Sequence, residues 1–482
     1  MKKRRILLLR AGLPSGRSKF LVLRSVCPPL GLIYLAAAVR RQFPDEFELR
    51  VLDPGLDRLP LEEVVAVMRQ EAPEIVGISA MATEVRDVNT LARAAREALP
   101  GVRVVVGGPC TQTVAASLAA NPDVDCCVIG EGEATFVELV PLLLAGSGLQ
   151  DVKGICFRTA AGEVVTTQPR PPIEFLDSLS PPAWDLIDLA AYSERAVSMN
   201  YGLLAARPYA PIFTSRGCPY RCTYCHGVFG KKARFRSPTS VLAEMALLVE
   251  RHGVREFHIY DDIFNLDAAR AAEILDGIAQ AGWNVKLAFP NGVRGDLLTA
   301  DLLARFRRAG TYLMCFAVET ASDRLQRLVK KNLDLDKVRE NISLARREGI
   351  IPLGFFMLGF PTETVEELQS TIDWACQSDL LRAFFFNVVP YRGTEIADLA
   401  RDLHPRFDFD PTRHYHQDGA YFREATGVDL ASYQRRAYLR FYLDLGRIVA
   451  IMRTHPAKRG IPGRLWRYLM FALPGAERYI EA

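Results

Sequence analysis

Ser215-Arg216-Gly217-Cys218-Pro219-Tyr220-Arg221-Cys222-Thr223-Tyr224-Cys225-His226 spaces three cysteines as C-x3-C-x2-C, with a tyrosine just before the third. Three thiolates on one tight loop can hold three corners of a cubic iron–sulfur cluster. The fourth iron then lacks a protein ligand and stays open to a small molecule. A ferredoxin-type cluster is closed by a fourth cysteine, and nothing nearby supplies one. A zinc site also wants a fourth ligand, and His226 sits too close to Cys225 to serve easily. The bland alternative is a chance cluster of buried thiols. Free cysteine behaves as a core hydrophobe, however, and avoids loops flanked by Gly and Pro. Cys218, Cys222 and Cys225 are therefore the expected metal ligands and the expected catalytic centre.

Six strand–helix repeats follow the pattern of apolar runs around this loop. Strands are expected at 212–215, 256–260, 285–289, 312–318, 352–358 and 383–388. Helices are expected at 241–252, 268–281, 301–309, 335–348, 365–376 and 395–402. Such repetition argues for a (β/α) barrel, and six units rather than eight make it a partial one, with functional residues at the carboxyl ends of its strands. Those ends carry Asp261-Asp262, Glu319 with Ser322, the Gly359-Phe360-Pro361 turn, and Pro390-Tyr391. Each has a plainer reading. Asp262 or Asn265 would serve a local turn, Glu319 would pair with a neighbour such as Arg294, and Thr362 would cap the next helix.

The first 150 residues also alternate strands (5–9, 48–52, 75–79, 103–106, 125–129) with helices (30–40, 61–70, 88–98, 134–144). This is the pattern of a Rossmann-like parallel sheet covered on both faces, which binds ligands beyond the carboxyl ends of its strands. The loops there contain Ser79 with Thr83 and Glu84, Gly107-Gly108, and Gly130-Glu131-Gly132. No G-x-G-x-x-G follows the first strand, which argues against NAD. The basic-apolar start, Met1 to Leu9, mimics a signal peptide, but its apolar run is short and no cleavage site follows, so it reads as a strand.

Taken with what surrounds it, the cysteine loop resembles that of the radical S-adenosylmethionine (SAM) superfamily. Pro28-Pro29-Leu30-Gly31, Val106-Gly107-Gly108-Pro109 and Gly130-Glu131-Gly132-Glu133, in that order, resemble the cobalamin-binding domain that precedes many radical SAM cores. The chain is thus similar, over roughly residues 1–400, to cobalamin-binding-domain-containing radical SAM enzymes. The resemblance implies three cofactors: a [4Fe-4S] cluster, SAM and cobalamin. It implies that SAM is held by Tyr224, Asp261, Asp262, Glu319, Ser322, Gly359, Pro361 and Tyr391. Asp261 and Asp262 would meet its amino group, Glu319 its ribose, and the Gly359 turn its adenine. It places cobalamin at Ser79, Thr83, Glu84, Gly107, Gly108, Gly130, Glu131 and Gly132. Mutase relatives hold cobalt from below with a D-x-H-x-x-G histidine; the first histidine here is His226. Cobalt without that ligand is more easily reduced to Cob(I). Cys27 and Cys110 either approach the metal or are buried small side chains.

The implied function is C-methylation of an unactivated carbon through a 5′-deoxyadenosyl radical and methylcobalamin. The alternative is ring formation, ring contraction or another rearrangement without methyl transfer. A transfer-RNA methylthiolating enzyme fits poorly, because it needs a second cluster and an RNA-binding barrel. A non-enzymatic sensor fits poorly beside a complete SAM site. The expected layout is a Rossmann-like domain at 1–150, a linker at 151–209 anchored by Trp184, the barrel at 210–400, and a helical C-terminal cap at 401–482. Net charge of +4, with both signs spread along the chain, gives no push toward nucleic acid. Ten cysteines, mostly isolated on apolar stretches, fit a reducing cytoplasm. The expected partners are an electron donor such as flavodoxin or ferredoxin and a small-molecule substrate, hydrophobic, lipid-like or anionic. The tail, 433–443 and 464–471, reads as a barrel cap in preference to a membrane-surface helix. His414, Tyr415 and His416 are candidates for substrate or proton-relay contact.

Overall fold

The computed structural model describes residues 3–14, 26–195, 204–405 and 420–457. Expectations at His414 to His416 and at 464–471 lie outside the described residues. The chain divides into two compact units. The first holds residues 26–195 together with 3–14 and 228–230; the second holds 204–227, 231–405 and 420–457.

The first unit is built on a seven-stranded sheet: β1 (Arg4–Arg10), β2 (Phe47–Leu52), β3 (Ile75–Ser79), β4 (Arg103–Gly107), β5 (Cys126–Val128), β6 (Ile155–Arg158) and β7 (Val164–Thr166). Their order is β2-β1-β3-β4-β5-β6-β7; β1 to β5 run parallel and β6 and β7 antiparallel. Continuous apolar runs such as Ile6 to Leu9, fully buried, are what a strand covered on both faces requires. The order reverses at β1, which puts the crevice beyond the carboxyl ends of β1 and β3. Residues 151–195, expected as linker, fold with this unit instead. β6 and β7 pair antiparallel beside β5, Trp184 is buried, and the Tyr192 hydroxyl donates to Asp53 at 3.0 Å.

The second unit contains a six-stranded, all-parallel sheet in sequential order: β8 (Tyr209–Ile212), β9 (Glu256–Ile259), β10 (Lys286–Val293), β11 (Thr311–Glu319), β12 (Ile351–Leu358) and β13 (Arg382–Asn387). β8 and β13 are its two edges, so the barrel is partial, as the six repeats require. The first strand lies three residues earlier than expected, at Tyr209–Ile212 rather than 212–215. Pro211 is tolerated there because an edge strand need not donate on its outer side. Ser215–Arg216 pairs instead with Arg234–Phe235 as a short antiparallel ribbon.

Two C-terminal helices, Leu430–Tyr442 and Leu445–Thr454, serve the open edge and the strand starts respectively. Gln434, Tyr438 and Tyr442 lie four residues apart and so share one face. That face meets the free edge of β13. The Tyr442 hydroxyl bonds the N–H and C=O of Ala383 at 3.1 and 2.9 Å, and Tyr438 does the same for Phe385 at 3.1 and 3.4 Å. Gln434 Nε2 donates to the same Phe385 carbonyl at 2.6 Å. Ile451 packs with Ile351 and Leu381 at the beginnings of β12 and β13.

Candidate active site

Gly217 opens the cysteine loop with φ of 89°, a left-handed conformation suited to glycine. Its N–H donates to Asp262 at 3.0 Å. The Cys225 N–H turns back to the Cys222 carbonyl at 3.1 Å, which brings the second and third thiols to one turn. Thr223 ties the loop on both sides: its N–H reaches the Val329 carbonyl and its carbonyl accepts from the Ile396 N–H. His226 Nε2 lies 2.8 Å from the Arg392 carbonyl, and the Arg294 guanidinium stacks 4.0 Å over Tyr220. Cys218 and Cys222 are half-buried and Cys225 is exposed. Burial pushes the Cys218 and Cys225 thiols up, which bound metal would reverse. Among the described residues no three His, Cys, Asp or Glu side chains converge on one ion. A cluster is a different geometry, in which each thiolate meets its own iron. The donor set, its loop and its accessibility fit that group.

Tyr224, between the second and third cysteines, couples this loop to β11. Burial and the charge of Glu319 hold its phenol well above the ordinary range, so it stays protonated and donates to Glu319 at 3.3 Å. Lys331 donates to the same carboxylate at 2.8 Å and to the Tyr224 hydroxyl at 3.2 Å. The partner of Glu319 is thus Lys331 and not Arg294, which forks onto Asp296 at 2.9 and 3.1 Å. Glu319 carries φ of 68°, a conformation that costs a non-glycine residue about 1–3 kcal/mol. Strain of this kind at a strand end marks a residue held for its position.

Asp261 is 1 % exposed, and its two oxygens are taken within the chain by the Thr214 N–H, the Thr214 hydroxyl and the Ser215 hydroxyl. It pins the end of β8, while Asp262 pins the cysteine loop. Asn265 makes paired backbone bonds to Arg294 at 2.9 and 3.0 Å. Ser322 caps the helix Asp323–Leu328 and donates to Glu367 at 2.6 Å. The next helix is capped by Thr364 in a capping box with Glu367, not by Thr362. Phe360 lies with its ring 6.3 Å from Tyr224, and Tyr391 lies 5.6 Å from the His226 ring.

Sequence reading missed Lys331 and Glu363. Glu363 is buried; one oxygen accepts the Gly359 and Phe360 N–H groups, and the other meets no partner among the described residues. A carboxylate closing a Gly-Phe-Pro turn was the available signal. Burial raises its pKa from 4.5 to about 8. Unfolding therefore releases a proton between those pH values, and stability falls as pH rises through that window. Glu363→Gln is expected to flatten the dependence of melting temperature on pH between about 5 and 8. Thermal melts of both proteins across that range check it.

In the first unit, Gly108 has φ of 89°, and a Cβ there would lie 2.7 Å from Ser79 Oγ. Gly130, φ 85°, has open space where a Cβ would stand, and Gly107 is nearly as open. Bare backbone at the ends of β4 and β5 forms a cradle that side chains would fill. Met81, 50 % exposed after β3, adds apolar surface to the same end. Thr83 and Gly132 are half-buried beside them, and Glu84 accepts from the Met81 N–H at 2.9 Å. Glu131 is engaged with the Ile173 N–H at 2.9 Å. Cys110 is buried and its thiol is pushed up to about 12 by burial; Cys27 is half-buried. An open cradle of this kind suits a broad flat ligand such as cobalamin.

Residues 19–140 match the B12 binding domain, and residues 212–375 match the Radical SAM superfamily. An uncharacterized methyltransferase of Pyrococcus horikoshii is 30% identical over 475 residues, covering 97% of this chain and 99% of that one. The chain belongs to the B12-binding radical SAM family. Another relative of this family, the anaerobic magnesium-protoporphyrin IX monomethyl ester cyclase of Rubrivivax gelatinosus, is 26% identical over 80% of this chain and 68% of its own. The fold matches that of the radical SAM methyltransferase TsrM from Kitasatospora setae, solved with cobalamin and a [4Fe-4S] cluster. Its TM-score is 0.66 at 20% identity, over 84% of this chain and 76% of that one. As a cobalamin-dependent radical SAM enzyme, the protein has two cofactor-bearing domains in one chain. No described helix is long and apolar enough to cross a membrane.

Proposed function

We propose that the protein is a C-methyltransferase acting on an unactivated carbon of a small molecule. The carrying observation is that a B12 binding domain without a single histidine precedes the three-cysteine loop in one chain. No imidazole of that domain can sit on the lower face of cobalt, which favours the low-valent state that takes up methyl groups. The near full-length likeness to a methyltransferase of Pyrococcus horikoshii supports the same reading. When bound, the cluster supplies the electron that cleaves SAM and cobalamin carries the methyl group. The chain's residues bind and orient. Cys218, Cys222 and Cys225 hold iron; Glu319, fixed by Lys331 and Tyr224, takes the ribose hydroxyls; the Gly359-Phe360-Pro361 turn packs on adenine. Electrons come from a small donor such as flavodoxin or ferredoxin. The cyclase relative in Rubrivivax gelatinosus supports the second reading, ring formation without methyl transfer.

Turnover with substrate and a one-electron donor is expected to give 5′-deoxyadenosine and S-adenosylhomocysteine in comparable amounts. Deoxyadenosine without the homocysteine product selects the second reading. Electron paramagnetic resonance of the Cob(II) form is expected to show no nitrogen coupling from a protein histidine.

A further inference from the structure

Along β11 every residue is buried except Ala317; along β12, every one except Phe355 and Met357; along β13, every one except Phe386. These are neighbours. Ala317 pairs with Phe355, Phe355 with the largely buried Phe384, and Met357 with Phe386. The intervening Phe356 and Phe385 are fully buried, and they face the outer helices. Phe356 lies 6.0 Å from Trp374, and Phe385 lies 5.4 Å from Tyr438 and 6.3 Å from Phe441. Successive strand residues point to opposite faces, so the half-exposed set lines the inside of the partial barrel. An inner wall that keeps solvent contact is one that the described residues leave unfilled.

The wall has a shape. The Phe384 and Phe386 rings lie parallel within 9° at 5.8 Å, and Phe355 stands edge-on to them at 6.0 and 5.5 Å. Met357 packs in the same cluster as Tyr224 of the cysteine loop. No ionisable group lies on the wall itself. Arg382 lies beyond Phe384 at 5.6 Å, and the Glu319–Lys331 pair ends β11. A charged body placed against these rings would lose hydration without a counter-charge. A neutral planar ring would gain both burial and edge or face contacts.

We infer that Ala317, Phe355, Met357, Phe384 and Phe386 form the substrate wall, and that the substrate presents a neutral, apolar, ring-bearing skeleton to it. This rests on the proposed function, and it narrows the substrate from hydrophobic, lipid-like or anionic to an uncharged ring system. The test uses the full-length protein loaded with cluster and cobalamin, titrated with N-phenyl-1-naphthylamine, a neutral ring compound that fluoresces when desolvated. Saturable binding is expected in the parent. Ala317→Trp, which fills the space, and Phe386→Asp, which charges it, should each weaken binding about tenfold or more. Phe355→Leu, which keeps an apolar side chain, should stay within about threefold. Leu445→Asp, on an exposed helix, should change nothing. Unsaturable binding, unchanged binding in Ala317→Trp, or loss in Leu445→Asp overturns the inference. Deoxyadenosine formation without substrate is followed on the same samples. If the parent forms none, the proposed function fails while the probe titration still decides the wall.

Discussion

Cys222→Ser is expected to give a folded chain that retains cobalamin but holds no stable cluster and forms no detectable 5′-deoxyadenosine. The fold survives because the loop is tied by backbone groups, not thiols: Thr223 to Val329 and Ile396, and Gly217 to Asp262. The chemistry does not survive, because two thiolates leave two irons without protein ligands, and serine oxygen is a harder, poorer partner for iron–sulfur iron. Cobalamin is retained because the open glycine loops belong to the first unit. Iron content, cluster absorption and chromatographic detection of deoxyadenosine check each part. A variant with full cluster absorption and parental deoxyadenosine yield would show that Cys222 is not a ligand.

The Tyr438→Phe, Tyr442→Phe double variant is expected to destabilise the second unit by about 4 kcal/mol, from orphaned groups at about 1–3 kcal/mol each. The tyrosine hydroxyls satisfy the N–H and C=O of Ala383 and Phe385, groups that a closed barrel would pair with another strand. Phenylalanine keeps the packing against Phe385 and removes only the hydrogen bonds. The Phe385 carbonyl keeps Gln434, so the orphans are chiefly the two N–H groups and the Ala383 carbonyl. A melting temperature lower by roughly 8–16 °C follows for a unit of this size. The freed edge should also promote association between chains. Calorimetry and light scattering measure both effects. An unchanged melting temperature would mean that water replaces the hydroxyls without loss.

Much of the fold is legible because its strands are continuous apolar runs and its helices carry clear stripes. Ile75–Ser79 and Ala268–Ala281 fall on the residues that periodicity selects. The helix Thr111–Ala119 does not, because its Thr-Gln-Thr start and small alanines make no stripe. β6 and β7 were hidden by the proline-rich composition that follows them, which reads as linker. In the candidate site the cysteines and Glu319 stand out because their residue types are chemically uncommon at strand ends. The partner of Glu319 does not stand out. Lys331 reaches it from between two left-handed residues, Lys330 and Asn332, and one lysine beside another carries no signal of which is buried. Asp261 shows the converse. A carboxylate at a strand end looks like a ligand group, yet three internal donors take it, and only coordinates reveal that.

The most direct test of the account is the metal content of the purified chain after anaerobic reconstitution with iron, sulfide and hydroxocobalamin, followed by desalting. About four irons and about one cobalt per chain are predicted, with a base-off cobalamin spectrum. A chain that keeps its iron but no cobalt would contradict the assignment of the first unit, and with it the methyl-transfer reading.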